Sequence, residues 1–287
     1  MKKNNSNLQN AQNNLAEVLH PQQSIELLKQ LHILTRDGQL NQDSRRKLKQ
    51  IYHLYNFFEP ILKELAQKEQ LHVVDHGSGK SYLGFILYDL FFKNLVSENK
   101  QISVLNVESR PDLVKKSQDL ALLLGFEKMG FIESTIKESV SAKGIPEKIQ
   151  LVSALHACDT ATDDAIDFAL AKNADYVVLI PCCQAEVSRA LNQAKAEMKT
   201  TSQYEIFRHP LHSREFGSHL TNVLRCLRLE SEGYKVTVTE FTGLEHSLKN
   251  ELIIAKKIEK PRERFKKKIN DLLIDFGIED LKGRFGV

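Results

Sequence analysis

This sequence predicts an α/β fold: a mostly parallel sheet with helices on both faces. Three observations carry the prediction. Short apolar runs alternate along the chain with segments of helical periodicity, the pattern of repeated βα units. One run, Leu71 to Leu87, passes from an apolar strand pattern ending in Asp75 through a glycine-spaced turn into an apolar helix pattern. A second strand pattern, Ile102 to Val107, ends in Glu108, where nucleotide-binding βα units carry a ribose-binding acid.

Taken in order, residues 1 to 14 are polar and rich in Asn and Gln, and are expected to be disordered. Helical patterns follow over Leu15–Leu34 and Ser44–Ala66, giving an N-terminal helical segment over residues 15–70. The second pattern places Ile51, Leu54, Tyr55, Phe58, Ile61, Leu62 and Leu65 on one face, with Asp43 or Ser44 as N-cap and Pro60 as a kink or break. Strands are expected at His72–Asp75, Ser103–Val107, Gly130–Ser134, Gln150–Leu155, Tyr176–Ile180, Lys235–Thr242 and Glu251–Ala255, within one domain over residues 71–257. Only the loop Gly243–Lys249 separates the last two, so they should pair antiparallel. Between the fifth and sixth strands, Ser213 is read as the N-cap of a helix buried through Leu220, Val223, Leu224 and Leu227. The C-terminal segment, residues 258–287, holds a basic helix, Arg262–Phe276, whose Phe265, Ile269, Leu272, Leu273 and Phe276 are expected to dock on the sheet.

Composition agrees: 287 residues, 41% hydrophobic and 27% charged, at a mean hydropathy of −0.34, suffice to bury a sizeable core. No run approaches the ~20 apolar residues that cross a bilayer, and the first residues hold no apolar leader core, so neither a membrane nor secretion is expected. Four cysteines, two of them adjacent as Cys182-Cys183, do not form a disulfide framework. A reducing, cytoplasmic setting is the expectation.

The loop after the first strand has no P-loop spacing, and Lys80-Ser81-Tyr82 interrupt the dinucleotide fingerprint before Gly84. It suits adenosine carrying an amino-acid tail better than a pyrophosphate. Asp75, His76, Gly77, Ser78, Gly79, Tyr82, Glu108 and Ser109 are the residues expected at that ligand, with Glu108 accepting from the ribose hydroxyls. An ordinary surface acid is the competing reading of Glu108. Lys80 would either stabilise a developing alkoxide or remain a solvated charge.

Past the fourth and fifth strands stand His156-Ala157-Cys158-Asp159-Thr160-Ala161-Thr162-Asp163 and Ile180-Pro181-Cys182-Cys183-Gln184. The pair resembles the H-x-C-G-x-x-T-D and P-C-C signatures of a methyltransferase-domain family that includes the eukaryotic tRNA acceptor-stem ribose 2′-O-methyltransferases and related methyltransferase-like proteins. The resemblance runs from Arg45 to Lys257 and includes the tail Glu240-Phe241 through Glu245-His246-Ser247-Leu248-Lys249-Asn250. It implies a Rossmann-like class I methyltransferase sheet of seven strands, mostly parallel with one antiparallel strand, to which the N-terminal helical segment and the C-terminal helix are additions. It also implies S-adenosyl-L-methionine as cofactor, with His156 and Ala157 beside it. Two positions depart from the pattern: Asp159 stands where the family has Gly, and Ser81 where many methyltransferase loops have a third Gly.

Residues just beyond neighbouring strands converge on one crevice, which gathers His156, Cys158, Asp159, Cys182 and Cys183 on the acceptor side. Methyl transfer is an in-line displacement, and a hydroxyl acceptor must lose its proton, to His156 or Asp159. The competing reading has these side chains only packing the loops. Adjacent cysteines lack the spacing of a structural zinc motif, so no metal is expected. Cys182, Cys183, His212 and Arg214 are the candidate substrate contacts, with His209 nearby.

The net charge of +3 is unremarkable, but Lys256 to Lys268 holds eight basic and two acidic residues. Arg45, Arg46, Lys47 and Lys49 form a second basic cluster. Lys266, Lys267 and Lys268 are read as phosphate contacts, against the commoner reading of a solvated helix face. Three functions stay open: a methyltransferase for RNA, at a tRNA or rRNA ribose hydroxyl; one for a small molecule or protein side chain; and a cofactor-binding module without catalysis.

Overall fold

The computed structural model describes residues 18–96, 100–155, 157–182, 184–195, 202–241, 251–258 and 260–287. His156, Cys183, residues 1–17 and the tail motif from 242 to 250 lie outside them. The seven strands lie in one sheet in the order 3-2-1-4-5-7-6. The described residues fall into two compact units, one up to Glu133 and one from Ser134 onward.

In the first unit, α1 (Ile25–Gln30) and α2 (Gln42–Leu65) precede β1 (Gln70–His76). The Asn41 side chain, not Asp43 or Ser44, caps α2 by accepting from the Ser44 N–H at 2.8 Å. The helix runs on through Pro60 without a break, burying Leu48, Tyr55, Phe58, Ile61, Leu62 and Leu65. The expected helix over Leu15–Leu34 is only the six residues of α1 among those described, and it ends before His32, whose φ is 55°. After the loop come α3 (Tyr82–Leu87), a π-helical turn Tyr88–Phe92, β2 (Gln101–Glu108), α4 (Pro111–Leu123) and β3 (Met129–Glu133). Strands β1, β2 and β3 pair in parallel, Asp75 opposite Asn106 and His76 opposite Val107. Gly84 lets α3 press on β2: a Cβ there would sit 2.2 Å from the Asn106 side-chain oxygen. The π-turn aims Asp89 at the head of α1, where its carboxylate accepts from the Ser24 N–H (2.7 Å) and the Gln23 amide, and it also accepts from Lys93 one turn on (2.7 Å).

In the second unit, α5 (Ile136–Ser139), β4 (Leu151–Leu155), α6 (Thr160–Ala171), β5 (Tyr176–Ile180), α7 (Glu186–Ala194), α8 (Tyr204–Phe207), α9 (Pro210–Ser231), β6 (Tyr234–Glu240), β7 (Glu251–Lys257) and α10 (Glu263–Asp275) follow. Strands β4 and β5 are parallel, and β7 runs antiparallel to both β5 and β6, so it is the one reversed strand. Helix α9 begins a turn earlier than its expected cap, at Pro210 after His209, because proline fits a helix's first position. Ser213 lies inside it, donating to the Asn192 side chain at 2.9 Å. Helix α10 docks not on the sheet but on α9 and α7. Ile269 and Leu273 share a cluster with Leu191, Phe207, Leu220 and Leu224. Each fully enclosed Leu or Ile there contributes roughly 1.5–3 kcal/mol.

Candidate functional site

The glycine loop is built from left-handed torsions. Gly77, Gly79 and Ser81 have φ of 62°, 57° and 56°. Glycine adopts that conformation freely, while an L side chain is strained in it by roughly 1–2 kcal/mol. Ser81, where a third glycine is usual, therefore keeps the glycine geometry without the glycine. Its N–H donates to the Ser78 carbonyl at 2.7 Å, and the Ser78 N–H to the Val107 carbonyl at 3.1 Å, tying the loop to β2. A Cβ at Gly77 would meet nothing within 4 Å, and one at Gly79 only the tip of Arg110 at 3.8 Å, so open space lies over the loop.

Glu108 bounds that space. It is 6% exposed, and it accepts from the Gly79 N–H (2.8 Å), the Arg110 N–H (3.0 Å) and the Arg110 Nε (3.0 Å), with Nη2 at 3.4 Å. Burial alone would raise its pKa. The Arg110 and Gly79 hydrogen bonds and the guanidinium charge outweigh burial and hold the carboxyl below its ordinary value. The open cradle over Gly77 and Gly79, with an ionised acceptor beside it, fits the adenosine part of S-adenosylmethionine once Arg110 yields its place. Arg110 was no part of the sequence-based expectations, although a cation two residues after a ribose-binding acid is a readable signal.

The other expected cofactor residues divide. Asp75 is buried at the β1 end. His76 is wholly enclosed, and burial pushes its imidazole down to about 3, so it is neutral and offers a ligand only its backbone. Ser109 is exposed beside Glu108. Tyr82 and Lys80 line a surface cavity with α4.

In the second unit, Asp159 heads α6 with φ 49° and ψ −124°, again a glycine-type conformation where the family pattern has Gly. Its carboxylate accepts from the Ala185 and Glu186 N–H groups at 2.9 and 3.0 Å, capping α7, and from Arg189 at 3.1 Å. Burial would raise its pKa, but these bonds overcome burial and lower it. So engaged, the carboxylate positions α7 and is a poor proton acceptor. Arg225, fully buried, donates to Asp163 at 2.9 and 2.6 Å and to the Asp159 carbonyl at 2.7 Å. Asn222 links Arg225 to Gln184, which follows Pro181-Cys182-Cys183. This arginine clamp went unpredicted because α9 reads as an apolar stripe, while it also buries Ser218, Thr221, Asn222 and Arg225.

The Thr162 hydroxyl donates to the carbonyl of the buried Ala157 at 2.6 Å, holding the β4 exit. Cys158 is exposed, with its sulfur 3.5 Å from that of Cys182. Among the described residues no group of three His, Cys, Asp or Glu is placed to hold a metal ion, and no helix is long and apolar enough to cross a membrane. His212 and Arg214 are exposed in the first two turns of α9, Arg214 paired with Glu215 at 3.0 Å.

A family model for the methyltransferase domain matches residues 46–190, just over half of the chain. The chain belongs to the methyltransferase-domain family that this model describes. The matched span takes in the glycine loop, Glu108 and both strand-end motifs. A Bos taurus protein described as glutathione S-transferase C-terminal domain-containing is 24% identical over 239 residues, 76% of this chain and 34% of its own length. The chain thus spans about a third of that curated relative. Among solved structures, an rRNA methylase from Streptococcus thermophilus is similar at 12% identity and a TM-score of 0.45, covering 71% of this chain and 95% of its own. The N-terminal domain of human METTL16 in complex with SAH is similar at 10% identity and a TM-score of 0.47, covering 72% and 69%.

Proposed function

We propose that this methyltransferase transfers a methyl group from S-adenosylmethionine to RNA, at a ribose hydroxyl. The observation that carries the cofactor reading is the ionised, buried Glu108 holding the Gly79 N–H at the edge of an open glycine cradle. When bound, S-adenosylmethionine supplies a methyl carbon that accepts a lone pair as its bond to sulfur breaks. Glu108 accepts from the ribose hydroxyls, the backbone of Gly77 to Gly79 lets the ligand approach closely, and Asp75 stands at the β1 end. In the second unit, His156 is assigned the acceptor's proton, because imidazole titrates near neutrality. The Asp159 cap and the Arg225 clamp brace the ends of β4 and β5, and Cys182 and Cys183 are assigned to substrate contact. Lys80 is assigned to the developing alkoxide.

The RNA part rests on charge. In α10, Lys267 and Lys268 are exposed and Lys266 half-buried. Lys266 and Lys267 are held only by surface pairs to Glu263 and Asp271, at 3.3 and 2.9 Å, weak enough for a phosphate to replace. Part of the basic run is otherwise employed: Lys256 and Lys257 lie over the rings of Tyr176 and Tyr234, and Arg262 donates to the Tyr234 carbonyl. Tritiated methyl transfer from S-adenosylmethionine to the RNA, protein and metabolite fractions of cells lacking this protein tests the reading. Label in the RNA fraction is expected. Label confined to protein or metabolites, or cofactor binding with no turnover on any fraction, overturns the RNA assignment.

A further inference from the structure

The first unit carries an open surface cavity of about 380 Å³ between the turn after α1, the start of α3 and one face of α4. Tyr82 forms part of it, 38% exposed, and its hydroxyl donates to the Leu31 carbonyl at 3.2 Å, which fixes the ring's orientation. Leu120 and Leu123 supply an apolar wall, and Leu123 is left 65% exposed.

The rim is cationic. Lys80 has no ion pair among the described residues, and the pair between Lys116 and Asp112 spans 3.5 Å on open surface. The one carboxylate in the lining, Asp119, is already held by Lys115 at 3.2 Å. A fixed aromatic ring, an apolar wall and spare positive charge together match a nucleobase joined to a phosphate.

We propose that this cavity binds one unpaired nucleotide of the substrate RNA, its base against Tyr82 and Leu123 and its phosphate on Lys116. This rests on the RNA reading above. Volume favours a nucleotide over a protein partner, since small-ligand pockets start at about 300 Å³ whereas an amphipathic helix needs a groove several turns long. The walls are helices and a turn, so no strand edge invites an added strand.

Fluorescence anisotropy with a fluorescein-labelled ten-nucleotide single-stranded RNA, and with the same sequence paired in a duplex, tests this. Tyr82→Leu and Leu123→Ser should each weaken single-strand binding about tenfold. Lys116→Glu should lower the slope of log affinity against log salt by about one. Leu123 and Lys116 are surface side chains, so those variants fold even if Tyr82→Leu does not, and cofactor affinity is measured alongside. Unchanged affinity and slope in all three variants, with RNA still bound through Lys266 to Lys268, overturns the cavity assignment and leaves the RNA reading standing. Wild-type protein that binds neither RNA overturns both. A labelled glutamate-rich peptide that binds and is lost in the same variants would instead give the cavity to a protein partner.

Discussion

Glu108 and Arg110 give the sharpest test of the proposed cofactor site, because removing one should weaken S-adenosylmethionine binding and removing the other should strengthen it. Glu108→Ala deletes a buried acceptor and leaves the Gly79 N–H without its 2.8 Å partner. The loss should be about 1–3 kcal/mol, roughly 5- to 150-fold in S-adenosylmethionine affinity. Arg110→Ala removes a competitor whose side chain is 63% exposed. Exposed pairs are weak, so affinity should rise by no more than about fivefold. Isothermal titration calorimetry on both folded variants measures this. A tenfold or greater loss in Arg110→Ala, with Glu108→Ala unchanged, would refute the argument and make the arginine the ligand contact. The pH dependence has a definite sign. Since the Glu108 pKa is lowered on folding, its contribution to stability is complete above the ordinary carboxylate value and fades as pH falls through the lowered one. Glu108→Gln should lose less stability on acidification over that window.

Other expectations concern separate parts of the molecule. Asp163→Asn breaks a pair whose arginine is fully buried and should lower unfolding free energy by about 3–5 kcal/mol in urea titrations, with Asp163→Asn/Arg225→Met recovering part of it. Ser81→Gly relieves a left-handed torsion and should raise the unfolding midpoint or leave it level; a clear drop would mean that the Ser81 hydroxyl contact to Ser78 matters more. Reversing Lys266, Lys267 and Lys268 to Glu should weaken RNA binding and flatten its salt dependence while cofactor affinity holds. His156→Ala should depress single-turnover methyl transfer by about 10²–10⁴-fold with both ligands still bound, and a near wild-type rate would remove it from the chemistry.

The strands were legible to within two residues because β-branched and apolar runs bounded by polar turns specify them locally. The cap of α2 was not, since Asn41, Asp43 and Ser44 are all competent caps and only the chain path chooses among them. The periodicity of α10 showed that one face is buried but not what buries it, and the answer is another helix. The left-handed turns of the loop after β1 were readable from glycine spacing. Arg225 and the α7-capping job of Asp159 were not, because each depends on a partner brought close only by the fold, whereas Arg110 pairs with Glu108 only two residues away.

The π-turn at Tyr88–Phe92 gives the molecule a lever. A single carboxylate on it, Asp89, holds the Ser24 N–H at the head of α1, and Leu31 and His32, just past the far end of that six-residue helix, form part of the cavity wall. A mutation at Asp89, which touches neither the glycine loop nor Tyr82, would thus be transmitted along α1 and be felt as a loosened cavity wall.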